Sequence, residues 1–404
     1  MQKKSTIYDK DLMTTAERLE KVIRCEEPDR VPLSMMIYYY APYHTGTPMG
    51  EYLNQPETYI RVIRKVYEDI GPWDIYYNIN PYSRLVYTFA MMMRALWPGI
   101  ELPLDEVVQT QEIEYMKPED YDKILNDTSW GAPLWGDLLF RLRMLPRFSQ
   151  EAKGYGLPRL SLKLMVNLLH QVLFWHREFG WWKKQGMVVQ IGYQAEMPFD
   201  TFSQARNVIN FSKDLFSCPD KIGKAATKLA DGFAAFAILT AKWYMRVPRV
   251  QLYLHRTSNS FISPRHFETL AFPSVEIVVN RLIEAGITPI LHCDGDWLKN
   301  FKVLRRLPAR KCIIQLDGLT DIFRAKQEIG DHMCIFGDVQ ASKLVMGSPS
   351  EVDEYCHRLI EEVGKGGGFI LAAGCEIPAN SRTENLKTMV NSVYKYGYYG
   401  TERR

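Results

Sequence analysis

The stretch PILHCDGDW, residues 289–297, decides how this chain folds. A short apolar run ends abruptly in a histidine, a cysteine and two acids. A near-continuous apolar run of this length reads as a strand buried on both faces. Residues that bind metals and move protons, placed just past its C-terminal end, read as one edge of a functional site.

Working outward, seven further runs have the same character. They are VPLSMMIY (31–38), WDIYYNI (73–79), MVVQIGY (187–193), VQLYLH (250–255), CIIQLD (312–317), CIFGDV (334–339) and GGFILAA (367–373). With TPILHC (288–293) they make eight strands. Helical patterns lie between them. SPRHFETLAFPSVEIVVNRLIEAG starts Ser-Pro and stops at Gly, and SPSEVDEYCHRLIEEVGKGGG begins like a capped helix. Strand–helix alternation implies a parallel sheet, and eight strands imply an α/β chain closed as a (β/α)8 TIM barrel. No GxGxxG or GxxxxGK[ST] stretch follows any strand, which disfavours nucleotide binding.

The connection between the second and third strands is long, about 80–186, and reads as a helical insertion. Within 138–186, nine Arg and Lys face only Glu151 and Glu178. LMVNLLHQVLFWHREFGWWKKQG, inside it, is amphipathic, aromatic and basic: a packed helix with a solvated face, a lid, a dock for an acidic protein, or a membrane-surface segment. No low-complexity linker appears, so residues 1–404 read as one domain.

Composition narrows the classes. Hydrophobic residues make 46% and charged residues 24% of 404, a globular balance. A formal net charge of +3 with dispersed basic residues gives no case for nucleic acid. No run of about 18 apolar residues occurs, so no transmembrane segment is expected. The start lacks the apolar core of a signal peptide, and seven scattered cysteines read as reduced thiols. Both point to the cytoplasm.

The C-terminal strand ends form the active face of a barrel. Here they carry Tyr193, Gln194 and Glu196; His255 and Arg256; His292, Cys293, Asp294 and Asp296; Asp317; Asp338; and Cys375 with Glu376. His, Cys and carboxylate together suggest zinc with three protein ligands and one open position. Side chains alternate along a strand, so His292 and Asp294 point one way and Cys293 the other. That favours His292, Asp294 and Cys375 as ligands. A metal-free cluster of hydrogen-bonded residues is the alternative.

The chain resembles the uroporphyrinogen decarboxylase superfamily, in particular its corrinoid-linked methyltransferase branch. The stretches that carry this are EEPDRVP (26–32), FISPRHFETLAFP (261–273), GITPILHCDGDW (286–297), IFGDVQASKLVMGSPSEV (335–352) and GGGFILAAGCEIPANSRTENLKTMV (366–390). The decarboxylases are similar to one another in a Met-Arg-Gln-Ala-Gly-Arg-Tyr stretch whose arginines hold the porphyrinogen carboxylates. The corresponding region here, SMMIYYYAPYHTG (34–46), has no arginine. The methyltransferase branch implies a zinc pattern of His-x-Cys and a distant Cys. His292 and Cys375 match its ends, Asp294 stands at its middle position, and Cys293 sits one place early.

A carboxylate in place of a thiolate leaves a harder zinc, suited to polarising an oxygen rather than activating a thiol. The expectation is therefore a zinc enzyme that takes methyl from a methoxylated, aromatic substrate and passes it to the Co(I) of a partner corrinoid protein. Asp317 and Glu196 are the expected catalytic acids, and Tyr193 and Asp338 the expected substrate contacts. A methylcorrinoid:thiol methyltransferase and a porphyrinogen lyase are the rivals. A cobalamin carrier is disfavoured, because no Asp-x-His-x-x-Gly pattern occurs.

Overall fold

The computed structural model describes residues 7–78, 83–128, 135–152 and 155–400. Of the expected insertion, 80–82, 129–134, 153 and 154 fall outside them, as does residue 79 of the second expected strand. The strands are β1 (Leu33–Met35), β2 (Ile75–Tyr76), β3 (Arg94–Leu96), β4 (Gln109–Gln111), β5 (Val188–Val189), β6 (Tyr193–Glu196), β7 (Arg249–Leu254), β8 (Thr288–Cys293), β9 (Ile313–Leu316), β10 (Cys334–Val339) and β11 (Phe369–Ala373). β3 and β4 form an antiparallel hairpin between helices. The others pair in parallel, with helices between most of them.

The chain separates into two compact units. The first comprises 1–80, 176–191 and 308–404; the second comprises 81–175 and 192–307. In the first unit the strand order is β5-β2-β1-β11-β10-β9. Every residue of these strands is buried except Val188, which is half-buried. That fits strands covered on both faces. At their N-terminal side lies a buried ion network. Arg18 and Arg30 reach Asp11, Asp29 and Asp74 at 2.7–3.0 Å. Asp74 also accepts the Leu33 N–H at 2.8 Å. The Asp-Arg of EEPDRVP therefore fixes the start of β1 through fully paired charges.

In the second unit β6, β7 and β8 lie side by side. Helix Pro219–Ile238 packs against helices Gly136–Phe148 and Phe272–Glu284. The expected run 187–193 is two strands, not one. Val188–Val189 pairs with β2, whereas Tyr193–Glu196 pairs with β7. Gly192 lies at the break, where a Cβ would strike the Val247 carbonyl and the Ala241 backbone. The helix expected over 261–285 also changes character. It opens at Ser263, whose Oγ accepts the His266 N–H, passes through a π turn at Phe267–Ala271, and resumes at Phe272–Glu284. Pro273 has no N–H to give a regular turn, which fits the bulge just before it.

Candidate metal centre

Strand register builds this site. Glu196 of β6 is level with Tyr253 of β7, and Tyr253 is level with His292 of β8. Two residues further on, His255 and Asp294 point to the same side as Tyr253 and His292. The four titratable groups thus fall in two adjacent layers. Glu196 and His292 form the deep layer, with 0% and 2% exposure. His255 and Asp294 are half-buried above them.

The distances are short. His292 Nε2 lies 3.1 Å from Asp294 Oδ1, and His255 Nε2 lies 3.6 Å from Asp294 Oδ2. On its other side, His255 Nδ1 lies 2.6 Å from Glu196 Oε1. The Tyr253 ring stacks on His255 at 5.0 Å and meets His292 edge-on at 5.3 Å. Tyr253 is itself fixed, its hydroxyl donating to Gln194 Oε1 at 2.8 Å. Both imidazoles are therefore held by one ring.

Past β8 the chain must turn sharply. Gly295 takes φ +89°, and a Cβ there would meet Ser258 Oγ at 2.5 Å. The turn is closed by Trp297 Nε1 donating to the Asp294 carbonyl at 2.9 Å. Asp296 accepts the Leu298 N–H at 3.0 Å and serves the turn.

The donor set fits a metal ion. His255, His292 and Asp294 each offer one ligand atom, all within 4.8 Å of one another. A tetrahedral zinc with nitrogen and oxygen ligands at about 2.0–2.1 Å separates them by about 3.3 Å. Asp294 Oδ1 is buried and out of hydrogen-bond alignment, although it lies beside His292. A buried carboxylate oxygen without a donor, beside an imidazole nitrogen, is the arrangement a shared cation would satisfy. Burial alone would raise the Asp294 carboxyl, but His292 first and then His255 outweigh it and hold it at about 2. Burial also opposes charge on His255, yet Glu196 and then Asp294 raise its pKa above the ordinary imidazole value.

Behind Glu196 lies a second buried carboxyl. Asp200 accepts the Arg256 N–H at 2.6 Å, and burial followed by repulsion from Glu196 lifts it to about 8. Arg141 holds the end of β6, donating to the Glu196 carbonyl at 2.9 Å while paired with Asp137 at 2.7 Å. Arg141, one of the nine basic residues counted in 138–186, is fully buried. Arg256 pairs with Glu112 and donates to the Ser203 carbonyl at 3.1 Å, so it is tied to the neighbouring loop.

The expected site residues divide as follows. His292, Asp294 and Glu196 come together, and His255, which sequence reasoning had left on the rim, joins them as a candidate ligand. Tyr193 faces the other side of β6, its ring packed edge-on against Phe233 and Phe236 at 6.0 and 5.4 Å. The remaining three belong to the first unit. Asp317 follows β9 and accepts the Leu319 N–H at 2.9 Å. Asp338 is buried on β10, accepts the Tyr355 hydroxyl at 2.8 Å, and is lifted to about 7, chiefly by burial. Cys375 follows β11 and is half-buried.

Parallel strands whose ends carry a His-His-carboxylate cluster define an α/β protein with a candidate metal centre. The profile of the uroporphyrinogen decarboxylase (URO-D) family matches residues 183–396, more than half of the chain, and the chain belongs to that family. It is 26% identical over 187 residues to the uroporphyrinogen decarboxylase of Trichodesmium erythraeum, covering 45% of this chain and 49% of that protein. It is 25% identical over 191 residues to the one of Pseudoalteromonas atlantica, covering 46% and 51%. The chain thus spans about half the length of these curated relatives. A methyltransferase from Methanosarcina mazei shares its fold, with a TM-score of 0.65 at 14% identity over 95% of this chain and 99% of that one. That likeness carries a TIM-barrel-like α/β fold and no more. Among the described residues, no helix is long and apolar enough to cross a membrane.

Proposed function

We propose that this chain is a zinc-dependent methyltransferase that takes methyl from a methoxylated, aromatic substrate and delivers it to the Co(I) of a corrinoid protein. The observation that carries this reading is the donor set His255, His292 and Asp294, with no thiolate among the three. Zinc bound by two imidazoles and a carboxylate supplies a hard Lewis acid suited to an ether oxygen.

The protein's own groups have distinct tasks. Glu196 holds His255 by its Nδ1 side, which leaves Nε2 for the metal. Tyr253 keeps both rings in place. Asp200, lifted to about 8 by burial and then by repulsion from Glu196, keeps its proton near neutral pH. That proton is a candidate reserve for a departing phenolate. Asp317 is kept as a candidate acid and Asp338 as a candidate hydrogen-bond partner for substrate. Cys375 remains a ligand candidate on its sequence pattern. Cys375→Ala tests it, since retained zinc would leave the three residues of the second unit as the whole protein donor set.

The family relatives named as decarboxylases support a second reading, a porphyrinogen lyase. The segment 34–46 weakens it, because it offers no arginine for the carboxylates of such a substrate. One assay separates the readings. The enzyme, a Co(I) corrinoid protein and a methoxybenzene such as vanillate should yield methylcobalt, read from its absorbance. Release of carbon dioxide from uroporphyrinogen, without methyl transfer, would favour the lyase. Success with only a thiol acceptor would reverse the direction of transfer.

A further inference from the structure

The helix Pro56–Ile70 has two unlike faces. Its inner face is apolar, with Tyr59, Ile63 and Val66 buried. Its outer face carries Arg61, Arg64, Lys65 and Glu68, at the three- and four-residue spacing that sets side chains on one side of a helix. Beside it, His44 and Thr45 of the helix Tyr40–Thr45 complete the wall of an open cavity of about 690 Å³. Small-molecule sites span about 300–1,000 Å³. The cavity lies wholly within the first unit and shares no residue with the candidate metal centre.

Most of the wall is already engaged. Lys65 pairs with Asp69. His44 Nε2 lies 3.0 Å from the same carboxylate, and its Nδ1 lies 2.9 Å from the Tyr40 hydroxyl. The Thr45 hydroxyl donates to the Ala41 carbonyl at 3.1 Å. Two guanidiniums differ. Arg64 is held from behind, since its Nη2 donates to Oε1 of the fully buried Glu178 at 2.8 Å and the group lies over the Trp181 ring at 4.5 Å. Its Nη1 then meets no acceptor among the described residues. Arg61, one turn earlier, is exposed and has no partner among them.

We propose that this cavity binds a small molecule through an oxyanion group, a carboxylate or a phosphate, seated between Arg61 and Arg64. A guanidinium presents its N–H donors in a planar fork that suits such oxygens. Holding Arg64 in advance spares the side-chain ordering that a free arginine gives up on binding. Glu68 limits the ligand. It lies two turns beyond Arg61, about 10 Å along the axis, and no cation pairs with it among the described residues. That end repels a second negative charge. A compact anion is accepted, and an extended polyanion such as a nucleic-acid backbone is excluded.

Calorimetric titration of the full chain at low salt, with inorganic phosphate and separately with benzoate, tests this. At least one should bind at one site per chain, and which one does names the group. Arg61→Gln should weaken that binding about tenfold or more, the scale of a lost hydrogen bond between charged groups. Because Arg61 is exposed and unpaired, the substitution leaves the fold intact. Arg64→Gln should weaken it as much, with a thermal melt to show that the chain stays folded around Glu178. Glu68→Gln should strengthen it by about twofold at this separation. Wild type that binds neither anion, or binding that Arg61→Gln leaves untouched, would overturn the proposal. Binding that Glu68→Gln does not strengthen would overturn the limit on ligand charge.

Discussion

Glu196 Oε1 lies 2.6 Å from Nδ1 of His255, on the side of the ring away from Asp294. A carboxylate in that position fixes the tautomer and orientation of a ligating imidazole. Glu196→Gln should therefore weaken zinc binding by about 10–100-fold without abolishing it. Competition with a chromophoric chelator measures this. Unchanged affinity would remove Glu196 from the centre.

Arg141 supports the same strand from behind. Its guanidinium is fully buried between Asp137 and the carbonyls of Ala90 and Glu196. Arg141→Met leaves Asp137 buried without its partner, a loss of about 3–5 kcal/mol for a broken buried pair. Urea denaturation with and without the substitution gives the value. A loss under about 1 kcal/mol, the scale of a surface ion pair, would mean that Arg141 does not anchor β6.

Asp338 makes stability depend on pH in a defined direction. Its pKa is raised from 3.8 to about 7 in the folded chain, so between these values the folded state binds more proton than the unfolded one. Stability from this group is full below about 4, declines as pH rises toward 7, and is lost above it. Asp338→Asn keeps an acceptor for Tyr355 and removes the titration. The fall in Tm between pH 5 and pH 8 should be smaller in the variant than in wild type. An equal fall in both would place the titrating group elsewhere.

Much of this architecture is legible in sequence, because buried parallel strands are short apolar runs and polar residues gather at their C-terminal ends. His292 and Asp294 were singled out that way, and the two-residue period set them on one side, where they lie together. The single run at 187–193 concealed two strands, since periodicity does not show where a strand changes partner and Gly192 was the only local mark. His255 was not singled out as a candidate ligand because its pattern, a histidine followed by an arginine at a strand end, equally describes a surface ion pair. Register with β8, a long-range fact, is what brings it beside His292 and Asp294. Arg141 entered the sequence reading only as one of nine basic residues in 138–186. Charge counting cannot distinguish a solvated arginine from one buried on an aspartate four residues earlier.

The central claim is that the second unit holds a metal through two histidines and an aspartate. The most direct measurement is the zinc content of anaerobically purified wild type beside His255→Ala and His292→Ala. The account predicts about one zinc per chain in wild type, as for a three-ligand catalytic site, and loss in both variants with the fold intact. Wild type without zinc, or full zinc content in His255→Ala, would contradict it.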